Sequence, residues 1–191
     1  MTPAEYTQLR AFAGIDGLVL AIIWTGSFAL LLTGLTSPDP TWAMAALMLV
    51  IVTPFYAAKR LRRFRDEVRD GIISFKRAWA YVILMFFFAG VVFALVQYAY
   101  FTYLDQGYFI HTLGNVINMA ESEELTRQSG MTEIFKETLR TFETQRTIDI
   151  VLNILTQQIM MGMLIGAPMA AMMKSSVARG ENPQKTQQPE Q

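Results

Sequence analysis

The chain has 191 residues, of which 52% are hydrophobic and only 17% are charged, and its 16 basic side chains balance 16 acidic ones. A charged fraction well below the usual quarter argues against a disordered chain, and a net charge of zero argues against a protein that coats nucleic acid. Cysteine is absent and there is a single histidine.

Charged residues and histidine are missing from four long stretches. These stretches cover residues 17–38, 40–58, 78–104 and 150–173, and they are 22, 19, 27 and 24 residues long. A helix needs roughly 20 residues to cross hydrocarbon about 30 Å thick. A soluble amphipathic helix has a charged face, which these stretches lack. The pattern therefore predicts an all-α integral membrane four-helix bundle rather than a soluble bundle with four buried helices.

We expect the membrane helices at residues 14–36, 41–60, 74–104 and 147–173, within a single membrane domain of residues 1–174. The first apolar stretch is longer than the roughly 7–15 residues of a signal-peptide core and no A-x-A-like site follows it, so we expect a retained helix. Residues 175–191 are polar and rich in Gln and Pro, which is typical of a disordered tail.

The basic residues are distributed unequally between the two sides of this bundle. Twelve of the 16 lie in the N-terminal segment, the connection 59–77 and the C-terminal tail. Lys and Arg near the ends of membrane helices mark the cytoplasmic face. We therefore expect both termini in the cytoplasm, with the turn 37–40 and the segment 107–146 on the outer side.

The outer segment 107–146 contains an amphipathic helical pattern that begins after Gly130. A weaker pattern over residues 109–120 suggests an earlier helix that is interrupted near Gly114. We interpret the stronger apolar face as a partner-binding surface, and the alternatives are a cap over the bundle or an anchor on the membrane surface. This face consists of Met131, Ile134, Phe135, Leu139 and Phe142.

The fourth membrane helix carries the most polar stripe of any predicted span. Spacings of four, three and one residues place its members on one face, and a glutamine of the third helix lies at a similar depth. The residues are Asp149, Asn153, Thr156, Gln157 and, on the third helix, Gln97. Such a stripe indicates either a path for an ion or small solute, or hydrogen bonds between helices worth about 0.6–2 kcal/mol each.

Small residues recur every four positions on the last two membrane helices. They are Gly162, Gly166 and Ala170 on the fourth helix, and Gly90 and Ala94 on the third. Small residues let helix backbones approach closely. We expect packing within the chain, and dimerisation through the same residues stays compatible with the pattern.

No motif in the chain indicates catalysis, a cofactor or a metal. Phosphate-binding loops, dinucleotide turns and zinc-ligand spacings are absent. The methionines of residues 160–173 are soft ligands suited to copper(I), yet methionine is also an ordinary gap-filling residue, and no cysteine accompanies them. Asp16 opens the first predicted helix, where a helix N-terminus and the membrane surface tolerate an acid. We therefore expect a non-enzymatic protein without cofactor or metal.

Two short motifs resemble those of a known family. One is the inner connection from Arg65 to Ala78, which reads RDEVRDGIISFKRA, and the other is the turn from Gly130 to Glu133, which reads GMTE. Similar motifs occur in the uncharacterised bacterial membrane proteins catalogued as domain of unknown function 4199, which look like four-helix proteins. The resemblance implies a Gram-negative inner membrane and brings no known activity, ligand or catalytic residue.

These observations predict a structural or accessory membrane subunit that binds a partner through its outer amphipathic helix. The alternative is a small oligomeric transporter or channel that uses the polar stripe of the fourth helix. The expected partners are the lipid bilayer, other membrane or periplasmic proteins and further copies of the chain, but not nucleic acid.

Overall fold

The computed structural model describes residues 3–105, 107–121, 133, 136–137, 140–141 and 144–174. Within these residues all regular structure is helical. The helices are α1 (Pro3–Thr36), α2 (Thr41–Arg63), which runs on into a π-helical turn (Phe64–Val68), α3 (Phe75–Tyr103), α4 (Tyr108–Glu121) and α5 (Thr147–Met173). Four of them, α1, α2 with its π turn, α3 and α5, are long and apolar enough to cross a membrane. The predicted all-helical fold with four such helices is confirmed.

The first helix begins at Pro3, ahead of its predicted start at residue 14. Proline fits the first turn of a helix because its missing N–H has no partner there in any case. In the same turn, the carboxylate of Glu5 accepts hydrogen bonds from Arg69 at 2.9 Å and Arg77 at 2.8 Å. The charged connection between α2 and α3 thus holds the early part of α1 against the bundle, which hydropathy alone does not reveal.

The second helix continues past its predicted end at residue 60. Leu61 is fully buried and Phe64, in the π turn, is almost so, because this stretch still packs on the bundle. The chain then reverses through Asp70 and Gly71, which have positive φ angles of 50° and 82°. We call this end of the bundle, with the start of α1 and the α2–α3 connection, the basic end.

The short turn between α1 and α2 is held by the carboxylate of Asp39. Its Oδ1 accepts hydrogen bonds from the backbone N–H of Thr41 at 2.9 Å and from the Thr41 hydroxyl at 2.6 Å. The pKa of Asp39 lies below its usual value, mainly because its carboxylate accepts the hydrogen bond from the Thr41 hydroxyl. The hydrogen bond from the Thr41 backbone N–H lowers this pKa further. Both bonds satisfy donors at the start of α2 that have no partner within the helix.

The two central helices are α1 and α3. The second helix packs mainly on α1 and the fifth mainly on α3, whereas α2 and α5 touch each other at few positions. The core between α1 and α3 includes Leu20, Trp24, Tyr81, Met85 and Phe86. Because α2 and α5 flank a shared pair without closing on each other, a cleft remains between them.

The outward faces of the long helices are apolar. Ile22, Phe55, Leu95 and Leu164 are each about two-thirds exposed or more. Isolated exposed apolar residues are common in soluble proteins, but contiguous apolar faces on several helices are not. This surface suits hydrocarbon better than water.

At the end opposite the basic end, α4 follows α3 through a tight turn. The carboxylate of Asp105 accepts hydrogen bonds from the backbone N–H groups of Gly107 at 3.2 Å and Phe109 at 2.8 Å, which caps the start of α4. The predicted interruption at Gly114 is wrong, because α4 runs through it as one helix. Most of the predicted amphipathic helix beyond residue 130 lies outside the described residues.

Candidate functional site

A buried carboxylate joins three helices near the basic end. Asp16 of α1 is 5% exposed, and its Oδ1 forms an ion pair with Arg60 of α2. Its Oδ2 accepts a hydrogen bond from the hydroxyl of Tyr81 on α3. The backbone carbonyl of Asp16 accepts a third bond, at 3.2 Å, from the hydroxyl of Tyr56. A single residue of α1 is therefore bonded to both of its neighbouring helices.

The position of Asp16 differs from the expectation that it opens the first helix. It lies well inside α1, and Arg60 rather than a helix N-terminus balances its charge. Both carboxylate oxygens are occupied by protein groups. This arrangement ties the three helices together.

Several other charged residues of the basic end also bond within the chain. Arg65 pairs with Asp66 and donates a hydrogen bond of 3.4 Å to the carbonyl of Met173, at the end of α5. Together with the contacts of Glu5, these bonds attach the α2–α3 connection to both α1 and α5. Across the described residues, no three His, Asp or Glu side chains are grouped to hold a metal ion.

The polar stripe of α5 lies on the outward face of that helix. Asn153, Thr156 and Gln157 are exposed. Gln157 Nε2 donates to Asn153 Oδ1 at 2.6 Å, and the Thr156 hydroxyl donates to the carbonyl of Leu152 at 2.8 Å. Among the residues that the structure describes, the stripe is bonded only along its own helix, and it does not face the interior of the bundle.

At the start of the stripe, Asp149 pairs with Arg146. Arg146 Nε lies 2.9 Å from Asp149 Oδ2 and its second nitrogen 3.3 Å from Oδ1. This hydrogen-bonded pair raises the pKa of the Arg146 guanidinium. Both side chains are exposed, so the pair is a local cap at the first turn of α5 rather than a buried acid.

Gln97, the fifth residue of the predicted stripe, lies apart from the other four. It is 5% exposed and lines the cleft between α2 and α5, together with Gln158 on the inward face of α5. The inward face of α5 carries residues spaced by three and four positions: Thr147, Ile150, Ile154, Gln158, Met161 and Ile165. The structure therefore separates an inward glutamine pair from an outward polar stripe.

The cleft has a volume of about 410 Å³ and all four long helices contribute to its walls. Its wall is largely aromatic and aliphatic and includes Trp24, Phe28, Thr53, Phe93, Gln97 and Gln158. Two of its donors are used inside the protein, since Trp24 Nε1 donates to Thr53 Oγ1 at 3.0 Å and the Ser27 hydroxyl donates to the carbonyl of Ala46 at 2.9 Å. In contrast, Gln97 Oε1 and Gln158 Oε1 are buried and accept no hydrogen bond from any described residue.

A second cavity of about 340 Å³ adjoins the cleft toward α4. The two share Phe28, Leu31 and Gln97 in their walls. Asp105, at the far end of the second cavity, already accepts the bonds that cap α4. Gln97 thus lies at the boundary between two adjoining apolar spaces.

The small residues of α3 and α5 lie in the interface between these two helices. A Cβ atom built on Gly162 would lie 2.6 Å from Cβ of Phe86, and one on Gly166 would lie 3.1 Å from Val82. On α3, a Cβ atom on Gly90 would lie 2.8 Å from Leu155 of α5. Ala94 and Ala170 are buried as well. These residues are brought together by packing within the chain, each glycine accepting a larger side chain from the other helix.

The predicted partner face of the outer helix cannot be placed in this architecture. Its residues, Met131, Ile134, Phe135, Leu139 and Phe142, lie outside the described residues.

Sequence reasoning missed two features of the interior. It treated Asp16 without a partner and did not connect it with Arg60 or Tyr81, which are distant in sequence. It also assigned no role to Gln158. The signal that separates Gln158 from Gln157 is the apolar spacing of Ile150, Ile154 and Ile165, which marks the partly buried face of α5 that lines the cleft and the second cavity.

Comparison with known proteins identifies one family. The model of the family described as "Protein of unknown function (DUF4199)" matches residues 13–175. The resemblance drawn from the two short motifs is confirmed. Searches of curated proteins and of solved structures found no match to the chain.

Proposed function

We propose that this chain, which belongs to the DUF4199 family of proteins of unknown function, is a non-enzymatic integral membrane protein that serves as a structural or accessory subunit. Its four long helices cross the bacterial inner membrane, with both termini in the cytoplasm. It associates with other membrane or periplasmic proteins, or with further copies of itself. Four apolar helices and an apolar outward surface support the membrane placement.

The outward polar stripe of α5 is the observation that carries this proposal. Asn153 and Gln157 are exposed, with Thr156, on a helix that otherwise exposes apolar residues such as Leu152 and Leu164. Their mutual hydrogen bond leaves one amide oxygen and one amide nitrogen without a described partner. Polar groups that face hydrocarbon without a partner are costly. A neighbouring membrane helix with Ser, Thr, Asn or Gln at this level satisfies them.

The proposed contact adjoins the predicted outer helix. The fifth helix begins at Thr147, directly after the segment 107–146. A partner bound near the start of α5 therefore meets the polar stripe close to the point where the segment 107–146 joins this helix. One partner can use both surfaces.

The alternative role as a transporter receives less support from the geometry. A solute path along the stripe requires Asn153 and Gln157 to line an internal cavity, whereas both side chains face outward. The internal spaces are lined by other residues of α5 and are largely apolar. A solute path could still form between several copies of the chain at this face. Such a path requires the copies to associate, and the photocrosslinking experiment described next detects that association.

Site-specific photocrosslinking in native membranes tests the proposal. A photoreactive amino acid replaces Asn153 or Gln157, and the matched control replaces Ile22, which is also exposed but lies on an apolar part of α1. We expect protein adducts at positions 153 and 157 and only lipid adducts at position 22. Mass spectrometry of the adducts distinguishes a second copy of the chain from a different membrane protein.

Lipid adducts alone at positions 153 and 157 would contradict the proposal. As a second measurement, Asn153→Leu combined with Gln157→Leu removes the polar groups and should decrease the recovered complex after mild detergent extraction. Loss of about 0.6–2 kcal/mol per contact corresponds to roughly threefold to thirtyfold weaker association.

A further inference from the structure

We propose that a groove on the outward face of α1 and α3, next to the basic end, binds an anionic glycerophospholipid, with one acyl chain in the groove and the phosphate paired with Arg10. The proposal rests on the membrane placement given above. It does not depend on partner contact at the outward stripe of α5.

The groove has a volume of about 520 Å³, and only residues of α1 and α3 line it. On α1 its wall follows one stripe of the helix from Thr7 to Leu18, and on α3 it includes Phe88. Ala11 and Gly14 lie in this stripe and have little or no side chain, which leaves the space beside Phe88 open. A Cβ atom built on Gly14 would meet only Phe88, at 3.8 Å.

A free cation lies at the end of the groove nearest the start of α1. Arg10 is exposed, and no ion pair or hydrogen bond joins it to another residue in the described part of the chain. By contrast, Arg60 pairs with the buried Asp16. The hydroxyl of Thr7, the other polar side chain of the wall, already donates to the carbonyl of Pro3 at 3.0 Å. The Arg10 guanidinium is therefore the donor that the groove offers to a ligand.

The rest of the wall determines the class of ligand. Beyond Arg10 toward Leu18 the residues are apolar, and no Asp or Glu lines the groove. A guanidinium binds phosphate oxygens through charge-assisted hydrogen bonds, often two at once. The ammonium group of a zwitterionic head group would find no acid in this wall to pair with. An apolar chain that ends in a phosphate with net negative charge fits both ends of the groove.

The length and position of the groove fit one leaflet of a bilayer. The helix rises roughly 12 Å from Arg10 to Leu18, and one leaflet contributes about half of a hydrocarbon core about 30 Å thick. Along α1, Arg10 lies between Glu5 and Asp16, which both bond to arginines of the basic end. Ile15 and Leu18 are exposed. A lipid therefore reaches the groove by lateral movement, without entering the bundle.

Photolabelling of the purified protein in phosphatidylcholine nanodiscs tests this assignment. The probe is phosphatidylglycerol with a photoactivatable diazirine in one acyl chain, and the control probe is phosphatidylcholine with the same labelled chain. We expect phosphatidylglycerol to label the peptides of residues 7–18 and 88–92 about fivefold more strongly, the ratio expected for one cation near the head groups.

Two variants with equal net charge separate a site from general attraction. Arg10→Gln should reduce the labelling ratio to about one. Arg62→Gln should retain the ratio, because it removes an arginine of α2 that is also exposed and free of ion pairs in the described part of the chain but lies outside the groove.

A third variant tests the acyl-chain part of the site without changing any charge. Gly14→Leu fills the groove and should decrease labelling of the same peptides by both probes. The bundle itself should still fold, because the added Cβ meets only Phe88, at an ordinary distance.

Three outcomes would overturn this assignment and leave the membrane placement intact. Equal labelling by the two probes means that the groove selects no anionic head group. A ratio that falls equally in Arg10→Gln and Arg62→Gln means that the basic end attracts anionic lipid through its charge alone. Protein adducts in native membranes from a photoreactive amino acid at Leu18 mean that a protein covers the groove. A chain that does not insert into the nanodiscs would instead contradict the membrane placement itself.

Discussion

Asp16 and Arg60 form an asymmetric pair, because the arginine side chain is 23% exposed and the aspartate side chain only 7%. An arginine that loses its partner can extend its charged end toward solvent. A buried aspartate that loses its partner has no such route. Breaking a buried ion pair costs about 3–5 kcal/mol when a charge is left behind, whereas removing both charges costs much less.

We therefore expect Arg60→Met to destabilise the protein more than Asp16→Ala does. The cost of Arg60→Met should approach about 3–5 kcal/mol, because the Asp16 carboxylate stays buried with only the Tyr81 hydroxyl as a partner. The double variant should be less destabilised than the sum of the two single variants. Unfolding of the purified protein in detergent measures all three. Strictly additive losses, or no loss in Arg60→Met, would show that the pair contributes nothing to stability.

The sequence alone does not reveal that Asp16 on α1 and Tyr81 on α3 are in contact. Their contact depends on how α1 and α3 are rotated against each other, and this rotation is set by close packing. A Cβ atom on Gly17 would lie 2.7 Å from the carbonyl oxygen of Met85, so the two backbones nearly touch. That approach brings Tyr81, one turn before Met85, beside Asp16. No periodicity in either helix predicts this contact on its own.

At the scale of the helix pair, α3 and α5 pack by placing large side chains against glycines. Gly162 accepts Phe86, and Gly90 accepts Leu155. The sequence predicts the small-residue faces because their four-residue spacing is visible without a structure. It does not predict that the two faces are offset, so that small residues meet large ones rather than each other. This offset follows from the shape of Phe86 and Leu155.

Gly162→Ala should destabilise the α3–α5 pair, because the added Cβ would lie 2.6 Å from Cβ of Phe86 and the backbones must separate. We expect a loss of about 1–3 kcal/mol, the usual cost of overpacking. The matched control is Gly26→Ala, where the added Cβ meets only Leu49 at an ordinary 3.9 Å. Thermal unfolding in the same detergent compares the two. An effect of Gly162→Ala no larger than that of Gly26→Ala would contradict the close packing.

For the whole molecule, the sequence predicts how many long helices there are and where the chain reverses. Hydropathy and length suffice for this, because each long helix is apolar over a span of about 20 residues or more. The cleft was beyond prediction, since it exists only because α2 and α5 pack on different central helices. Gln97 and Gln158 line the cleft only because of that arrangement. A count of polar residues along α5 does not distinguish the inward glutamine from the outward one.

The absence of cysteine allows the topology of the whole chain to be tested with single introduced thiols. The structure places Gln8, Arg62 and Lys174 toward the basic end and Pro38 and His111 toward the opposite end. Because the basic residues concentrate at the basic end, we expect it to face the cytoplasm. In spheroplasts, an impermeant maleimide should label Pro38→Cys and His111→Cys but not Gln8→Cys, Arg62→Cys or Lys174→Cys until the membrane is opened. Labelling of both Gln8→Cys and Pro38→Cys in sealed spheroplasts would show that the two ends of α1 lie on the same side of the membrane, so that α1 does not cross it. The predicted topology, with four crossings and both termini in the cytoplasm, would then be wrong.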